Sequence, residues 1–214
     1  MAALQITGRD HGGPAGRSER VLTQATRAPS VFNAQPWKWR IGGGVGQLSA
    51  DRGRQIPSID PDGRLLVLSC GAALHHLGLG PTPAARPVPL RDFLAHQART
   101  SVVPDPPPVG DQHASYAVLA TAGDRPGDWL TAGEALSALL LTATAHGLST
   151  SPMSDLVEVP ASRALLRELL AEGHPALVVR IGVPASDPPA TALAPRRRGP
   201  DVVHVADFPD HDGS

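Results

Sequence analysis

Ser30, Asn33 and Gln35 stand in a turn bounded by Pro29 and Pro36, within the stretch from Arg27 to Trp37. A hydroxyl and two carboxamides placed so closely supply donors and acceptors but no strong acid or base, so the chemistry on offer is hydrogen-bonded recognition. The same groups can instead satisfy their own backbone and do no more than hold the turn. A second candidate is Ser149 to Asp155, where Ser151, Pro152, Met153 and Ser154 follow a long helical pattern; Met153 suits a core gap equally well. The third is the run Arg196, Arg197, Arg198 behind Pro195, whose guanidinium forks match phosphate geometry. The alternative for that run is a solvated basic tail.

Other reactive side chains are poorly placed for catalysis. Cys70 is the single cysteine, so no intramolecular disulfide forms, and its apolar neighbours indicate burial rather than an activated thiol. His75 and His76 are adjacent and point different ways on a helix, and His96, His113, His146 and His174 show no metal-ligand spacing. Glu134 and Glu168 read as surface charges on their helices, with no paired carboxylate or base nearby. Gly42, Gly43, Gly44 and Gly46 lack both the spacing and the following helix of a dinucleotide loop and read as a hairpin turn.

The elements that position these groups follow from periodicity and punctuation. Ser18 to Ala28 has a helical pattern that Pro29 ends, delivering the chain into the turn. Trp37, Trp39 and Ile41 alternate with Lys38 and Arg40, and with Gln47 to Ala50 they predict a β-hairpin. Asp51 to Arg64 is a surface loop with a turn at Asp60 to Gly63. Leu65 to Leu79 predicts a buried helix in which Gly71, Ala72 and Ala73 allow close approach to another backbone. Prolines then dominate, with one short helical candidate at Leu90 to Arg99. A strand at Tyr116 to Thr121, a long helix from Asp128 to His146 stopped by Gly147, a helix at Ala161 to Ala171 and a strand at Ala176 to Ile181 complete the pattern. Beyond Pro184 an extended arm is expected rather than a core element. The expected organisation is a disordered lead-in (1–17), a first half (18–80), a Pro-rich linker (81–112), a second half (113–200) and a tail (201–214).

At 214 residues the chain can bury a sizeable core without staples. A net charge of -1 with no basic stripe disfavours nucleic acid. The absence of a secretion signal and of a long apolar run predicts a cytoplasmic protein with no membrane partner.

Four blocks resemble one group, the Acg-type nitroreductase-like flavoproteins, in which two diverged halves of a nitroreductase dimer are fused. They are Arg27 to Trp37; Asp51 to Leu77, with Asp60-Pro61-Asp62-Gly63-Arg64 and Cys70-Gly71-Ala72-Ala73-Leu74; Asp128-Trp129-Leu130 with Ala132 to Leu136 and Gly147-Leu148; and Glu158-Val159-Pro160 followed by Pro195 to Arg198. The resemblance implies an α+β, three-layer nitroreductase-like fold, a central mixed or antiparallel sheet with helices on both faces, incomplete relative to the family. It implies FMN, met by Ser30, Asn33 and Gln35 from the first half, by Ser151, Pro152, Met153 and Ser154 along the ring, and by Arg196, Arg197 and Arg198 at the phosphate. NAD(P)H is the implied electron donor, and a small molecule the acceptor.

The sequence departs from the group at the Arg-Arg-Thr-x-Arg-Arg phosphate clamp. Gly80 to Pro89 leads almost directly to Leu90-Arg91-Asp92-Phe93, and Arg99-Thr100-Ser101 lies on the wrong side of that join. Two lost charge-assisted bonds would weaken binding by ~10²- to 10⁴-fold. The expected function is hydride transfer from NAD(P)H through flavin N5, with no catalytic side chain required. The alternative is a flavin-binding or sequestering protein, or an inactive shortened paralogue. The likeness of the halves predicts a shared helix-to-helix interface, within the chain or as a homodimer, or in pairing with a full-length relative.

Overall fold

A computed structural model describes residues 2–5, 25–42, 45–76, 114–170, 172–183 and 195–205. The expected linker, the Leu90 to Arg99 helix, the clamp join and the start of the first helix lie outside them. Strands β1 (Ala2–Gln5), β2 (Trp37–Gly42) and β3 (Val45–Ala50) are followed by helix α1 (Arg64–His76). After β4 (Ser115–Thr121) come α2 (Pro126–Ala145), β5 (Ser149–Met153), α3 (Asp155–Glu158), α4 (Pro160–Leu170) and β6 (His174–Gly182). The described chain ends with α5 (Gly199–Val202) and β7 (Val203–Val205).

The α+β class is as expected, with the strands distributed over two sheets. The first has the order β1-β3-β2-β7 and the second β4-β6-β5. The predicted hairpin pairs Trp39 with Leu48 and Trp37 with Ala50, and its alternation buries Trp37, Trp39 and Leu48 on one face.

Helices α1 and α2 pack against each other between the two cores. Leu74, Ala72, Ala73 and Cys70 join the tryptophans in one cluster, while Leu65 and Leu68 join Leu136, Leu177 and Val179 in the other. The two helices run parallel: Leu68 O lies against Gly133, Leu130 O against Gly71, and His75 reaches Ser137 farther along. Gly71 and Gly133 each leave room for the other helix's backbone, which is the close approach that Gly71 to Ala73 predicts. The expected helix-to-helix interface between halves is therefore built within one chain.

Local signals fix both helix starts. Asp60 accepts hydrogen bonds from Leu65 N (3.1 Å) and Leu66 N (2.9 Å), placing a buried carboxylate where the unpaired amides and the helix dipole favour an anion. Gly63 takes φ 77°, open to glycine at no steric cost. Pro126 opens α2, Asp128 Oδ2 accepts from Arg125 N, and Gly147 at φ 70° closes it with Leu148 N bonded to Ala143 O.

Three expectations need correction. Residues 2–5, expected within a disordered lead-in, form β1 antiparallel to β3: an open strand edge recruits any extended chain through its backbone, without an apolar pattern. Residues 201–205, expected as tail, include fully buried Val202 and β7, which pairs in parallel with Trp39 to Ile41. The β-branched run Val202, Val203, Val205 is suited to that edge. Glu134, read as a surface charge, is buried, one residue beyond Gly133, at which α1 and α2 come into backbone contact. Burial raises its pKa above 4.5. Its folded state holds a proton more readily than the unfolded chain, so its contribution to stability is full at acid pH and is lost as pH rises through the folded pKa. Glu134→Gln is accordingly expected to raise Tm at pH 7 and to have little effect near pH 4, as read by thermal melts at the two pH values.

Candidate functional site

The turn is held in an uncommon backbone conformation. Phe32, Asn33 and Gln35 all have positive φ (49°, 54° and 48°), and Phe32 is left largely exposed. Non-glycine residues adopt this region only where surrounding contacts enforce it. Here Ser30 Oγ accepts from Gln35 N at 3.0 Å, and Val31 N donates to Ser69 Oγ at 3.3 Å. Ser69, itself bonded to Leu65 O, ties the turn to α1.

The far end of the chain closes on this turn. Asn33 Nδ2 and Gln35 Nε2 both donate to Pro195 O, at 2.9 and 3.1 Å. Arg196 donates to Asn33 Oδ1 at 2.7 Å and to Arg27 O at 3.1 Å. Arg197 N donates to Gln35 Oε1 at 2.8 Å, and its guanidinium to Gln35 O, Trp37 O and Asp201 O. Burial, and next Arg54, lowers the Arg197 pKa, opposed by Asp51 and Asp201. Five of the ten candidate residues (Ser30, Asn33, Gln35, Arg196 and Arg197) thus form one constellation. Arg198 stands beside it, exposed, preceding α5.

The other four are placed elsewhere. Ser151, Pro152 and Met153 lie on β5, paired with Arg180, Val179 and Val178 of β6, and Ser154 precedes α3. Among the described residues no hydrogen bond or ion pair joins this segment to the turn. Arg197 is also unlike a free phosphate ligand. Its side chain is 13% exposed, and the Nε that remains unbonded is buried.

Cys70 is buried, and burial pushes its thiol up to about 12, which makes it inert at neutral pH. The histidine pair departs from expectation. Instead of pointing apart, both rings reach Ser137 Oγ, His75 at 2.9 Å and His76 at 2.7 Å, because the close helix approach brings α2 within range of both. Burial lowers both pKa values; for His76 the hydrogen bond with Ala72 O opposes this, and the neighbouring His75 and Arg196 act with it. The unfolded histidines titrate near the ordinary imidazole value of 6.5 and so bind protons first on acidification. Their contribution is full above that pH and is lost as pH falls through the folded values. The double variant His75→Asn, His76→Asn is expected to flatten the decline of Tm between about pH 7 and pH 5; an unchanged slope would contradict this assignment.

The Glu134 burial is one residue-level feature that sequence reasoning misses. Aligning Cys70-Gly71-Ala72-Ala73-Leu74 with Ala132-Gly133-Glu134-Ala135-Leu136 places Glu134 at the position of Ala72, which is fully buried. Among the described residues no helix is long and apolar enough to cross a membrane.

A family model described as the nitroreductase family matches residues 14–183. The chain is 32% identical over 217 residues to "Putative NAD(P)H nitroreductase Rv3131" of Mycobacterium tuberculosis strain ATCC 25618 / H37Rv, covering 91% of this chain and 63% of that protein. It is 37% identical over 103 residues to "Putative NAD(P)H nitroreductase acg" of the same strain, covering 46% and 30% respectively. The chain thus spans less than two thirds of the length of these curated relatives. A solved nitroreductase family protein from Streptococcus pneumoniae TIGR4 is 17% identical, with a TM-score of 0.26, over 89% of this chain and 90% of that one.

Proposed function

The chain belongs to the nitroreductase family, and on that premise we propose that it is an FMN-dependent NAD(P)H oxidoreductase of the Acg type, acting on a small-molecule acceptor. The observation that carries this reading is the meeting of Asn33 with Arg196, 163 residues apart in sequence, on a turn of three left-handed non-glycine residues. Strained backbone that gathers polar side chains from distant segments is characteristic of binding sites.

The donor set suits the group. Asn33 Nδ2 and Gln35 Nε2 converge on one carbonyl, that of Pro195. Two amide donors aimed at one acceptor can turn toward the polar edge of a flavin at small cost. Arg196 and Arg198 supply exposed guanidinium groups for a phosphate. When bound, FMN supplies two-electron chemistry at its N5. Ser30 acts indirectly, holding Gln35 through its amide, and Arg197 tethers the arm that carries Arg196.

One observation favours a second reading, flavin binding or sequestration without turnover. Ser30, Asn33, Gln35, Arg196 and Arg197 all hydrogen-bond to protein partners, and among the described residues β5 makes no bond to the turn. Titration of the protein with FMN, followed by flavin fluorescence, and then anaerobic addition of NADPH or NADH separates the two. Saturable quenching followed by bleaching of the flavin band supports the oxidoreductase. Quenching without bleaching supports the second reading, and no quenching removes both. Asn33→Ala and Arg196→Ala are each expected to weaken FMN binding about tenfold or more, the value of one charge-assisted or buried hydrogen bond. Pairing with a second copy, or with a longer relative, belongs to the same proposal and is checked by light scattering.

A further inference from the structure

A cavity of about 130 Å³ lies at the seam between the halves, away from the turn. The first half contributes Asp60, Leu65 and Leu68, and the second contributes Trp129, Val157 and Pro175. Its walls are mostly apolar, and its volume exceeds what a single water requires.

Most of the charged groups around it are already matched. Asp60 caps α1. Arg64 pairs with Asp62 at 3.3 Å and with Asp124, and its guanidinium stacks over the Trp129 ring at 4.8 Å. Asp124 also accepts from Trp129 Nε1 at 2.8 Å and lies 3.9 Å from His174 Nδ1. Two lining groups are left over. Glu158 Oε1 is buried without a hydrogen-bond partner, and the Arg163 guanidinium makes no ion pair with the described residues. Burial lowers the Arg163 pKa, and Arg64 lowers it further, against Asp62. A buried carboxylate oxygen with no donor is costly, and Glu158 is among the residues lining a space large enough to hold one.

We propose that this cavity binds a small zwitterion, a free amino acid with an apolar side chain: Glu158 receives the ammonium group, Arg163 the carboxylate, and the side chain rests against Leu68, Val157 and Pro175. The two opposite charges sit on either side of the α3–α4 junction, neither in an ion pair with the described residues, beside an apolar wall. A simple anion would meet Glu158, and a simple cation would meet Arg163. The zwitterion is the class that answers both.

The probe is L-leucine, compared with leucinamide, which lacks the carboxylate, and 4-methylpentanoate, which lacks the amine. Binding to the full chain is read by Trp129 fluorescence and by thermal melting, since a ligand that binds only the folded state raises Tm with concentration. Leucine is expected to give a saturable change in both, and each single-charge analogue to bind at least about tenfold more weakly. Glu158→Gln and Arg163→Gln are each expected to abolish the leucine response; neither change breaks an ion pair with the described residues, and Glu158→Gln, which removes a costly unpartnered charge, is expected to raise the ligand-free melt slightly. Trp129→Phe is expected to remove the fluorescence signal and keep the Tm shift. No response to leucine, an equal response to all three compounds, or a leucine response that survives in both Gln variants would overturn the proposal. None of these readouts depends on flavin.

Discussion

Replacing Gly133 or Gly71 with alanine is expected to destabilise the protein by about 3 kcal/mol or more, among the larger effects available to a single methyl group. A Cβ on Gly133 would stand 1.8 Å from Leu68 O and 2.9 Å from Ala72 N; one on Gly71 would stand 1.9 Å from Leu130 O and 3.1 Å from the Gly133 Cα. All of these are backbone atoms, so no side chain can swing aside. The helices would have to separate by more than an ångström, and packing contacts along their whole shared face would weaken together. For a chain of this size the loss corresponds to a Tm drop of roughly 10 °C. The double variant is expected to fall short of the sum, since a gap opened by the first methyl already admits much of the second. Gly127→Ala is the control. It lies in the same helix, a Cβ there meets nothing within 4 Å, and alanine is expected to stabilise slightly through helix propensity. Unchanged melting of Gly133→Ala would mean that α1 and α2 are not packed in this register.

This crossing also shows what the sequence could and could not disclose. Gly71-Ala72-Ala73 announces that some backbone comes close, because small residues in an apolar helix have few other uses. Which backbone it is depends on the long-range pairing of two segments separated by the Pro-rich stretch, and no local pattern encodes that. The same limit explains Glu134. Charge type argues for solvent, and only its register opposite α1 makes it buried.

The site divides in the same way. Ser30, Asn33 and Gln35 were legible because prolines and short polar side chains write a turn locally. That Arg196 and Arg197 would fold back onto it was legible only by resemblance, from their order behind Pro195. The cavity beside Trp129 was not legible at all. It is an arrangement of Glu158 and Arg163, two ordinary helix charges, and that neither makes an ion pair with the described residues is visible only in three dimensions. The terminal strand is hidden for another reason: Pro, Arg and Asp beyond Pro184 suggest an extended arm, and Val202, Val203 and Val205 are too brief a run to mark a strand on their own.

Arg197→Ala is expected to have the second large effect, and it bears on both stability and function. One guanidinium bridges three elements. It donates to Gln35 O at 3.1 Å, at the end of the turn, to Trp37 O at 3.2 Å, at the start of β2, and to Asp201 O in the terminal arm. It also lies 3.9 Å from Asp51 Oδ2, a carboxylate shared with Lys38. Alanine would leave the part-buried Gln35 and Trp37 carbonyls without this donor and release the arm that inserts Val202 into the core, a loss of about 3 kcal/mol. Lysine keeps the charge but not the fork, so Arg197→Lys is expected to recover less than half of it. Urea denaturation measures the loss. Amide hydrogen exchange locates it, with protection falling at Trp39 to Ile41, where β7 pairs with β2. Comparison with Arg196→Ala then separates tether from ligand. If Arg197 anchors the arm, its alanine variant loses stability even without flavin, whereas Arg196→Ala keeps its melt and loses FMN affinity. Were Arg197→Ala to melt like the parent and fail only in flavin binding, its guanidinium would be a phosphate ligand, and the bonds it makes to the turn would not be what holds the arm.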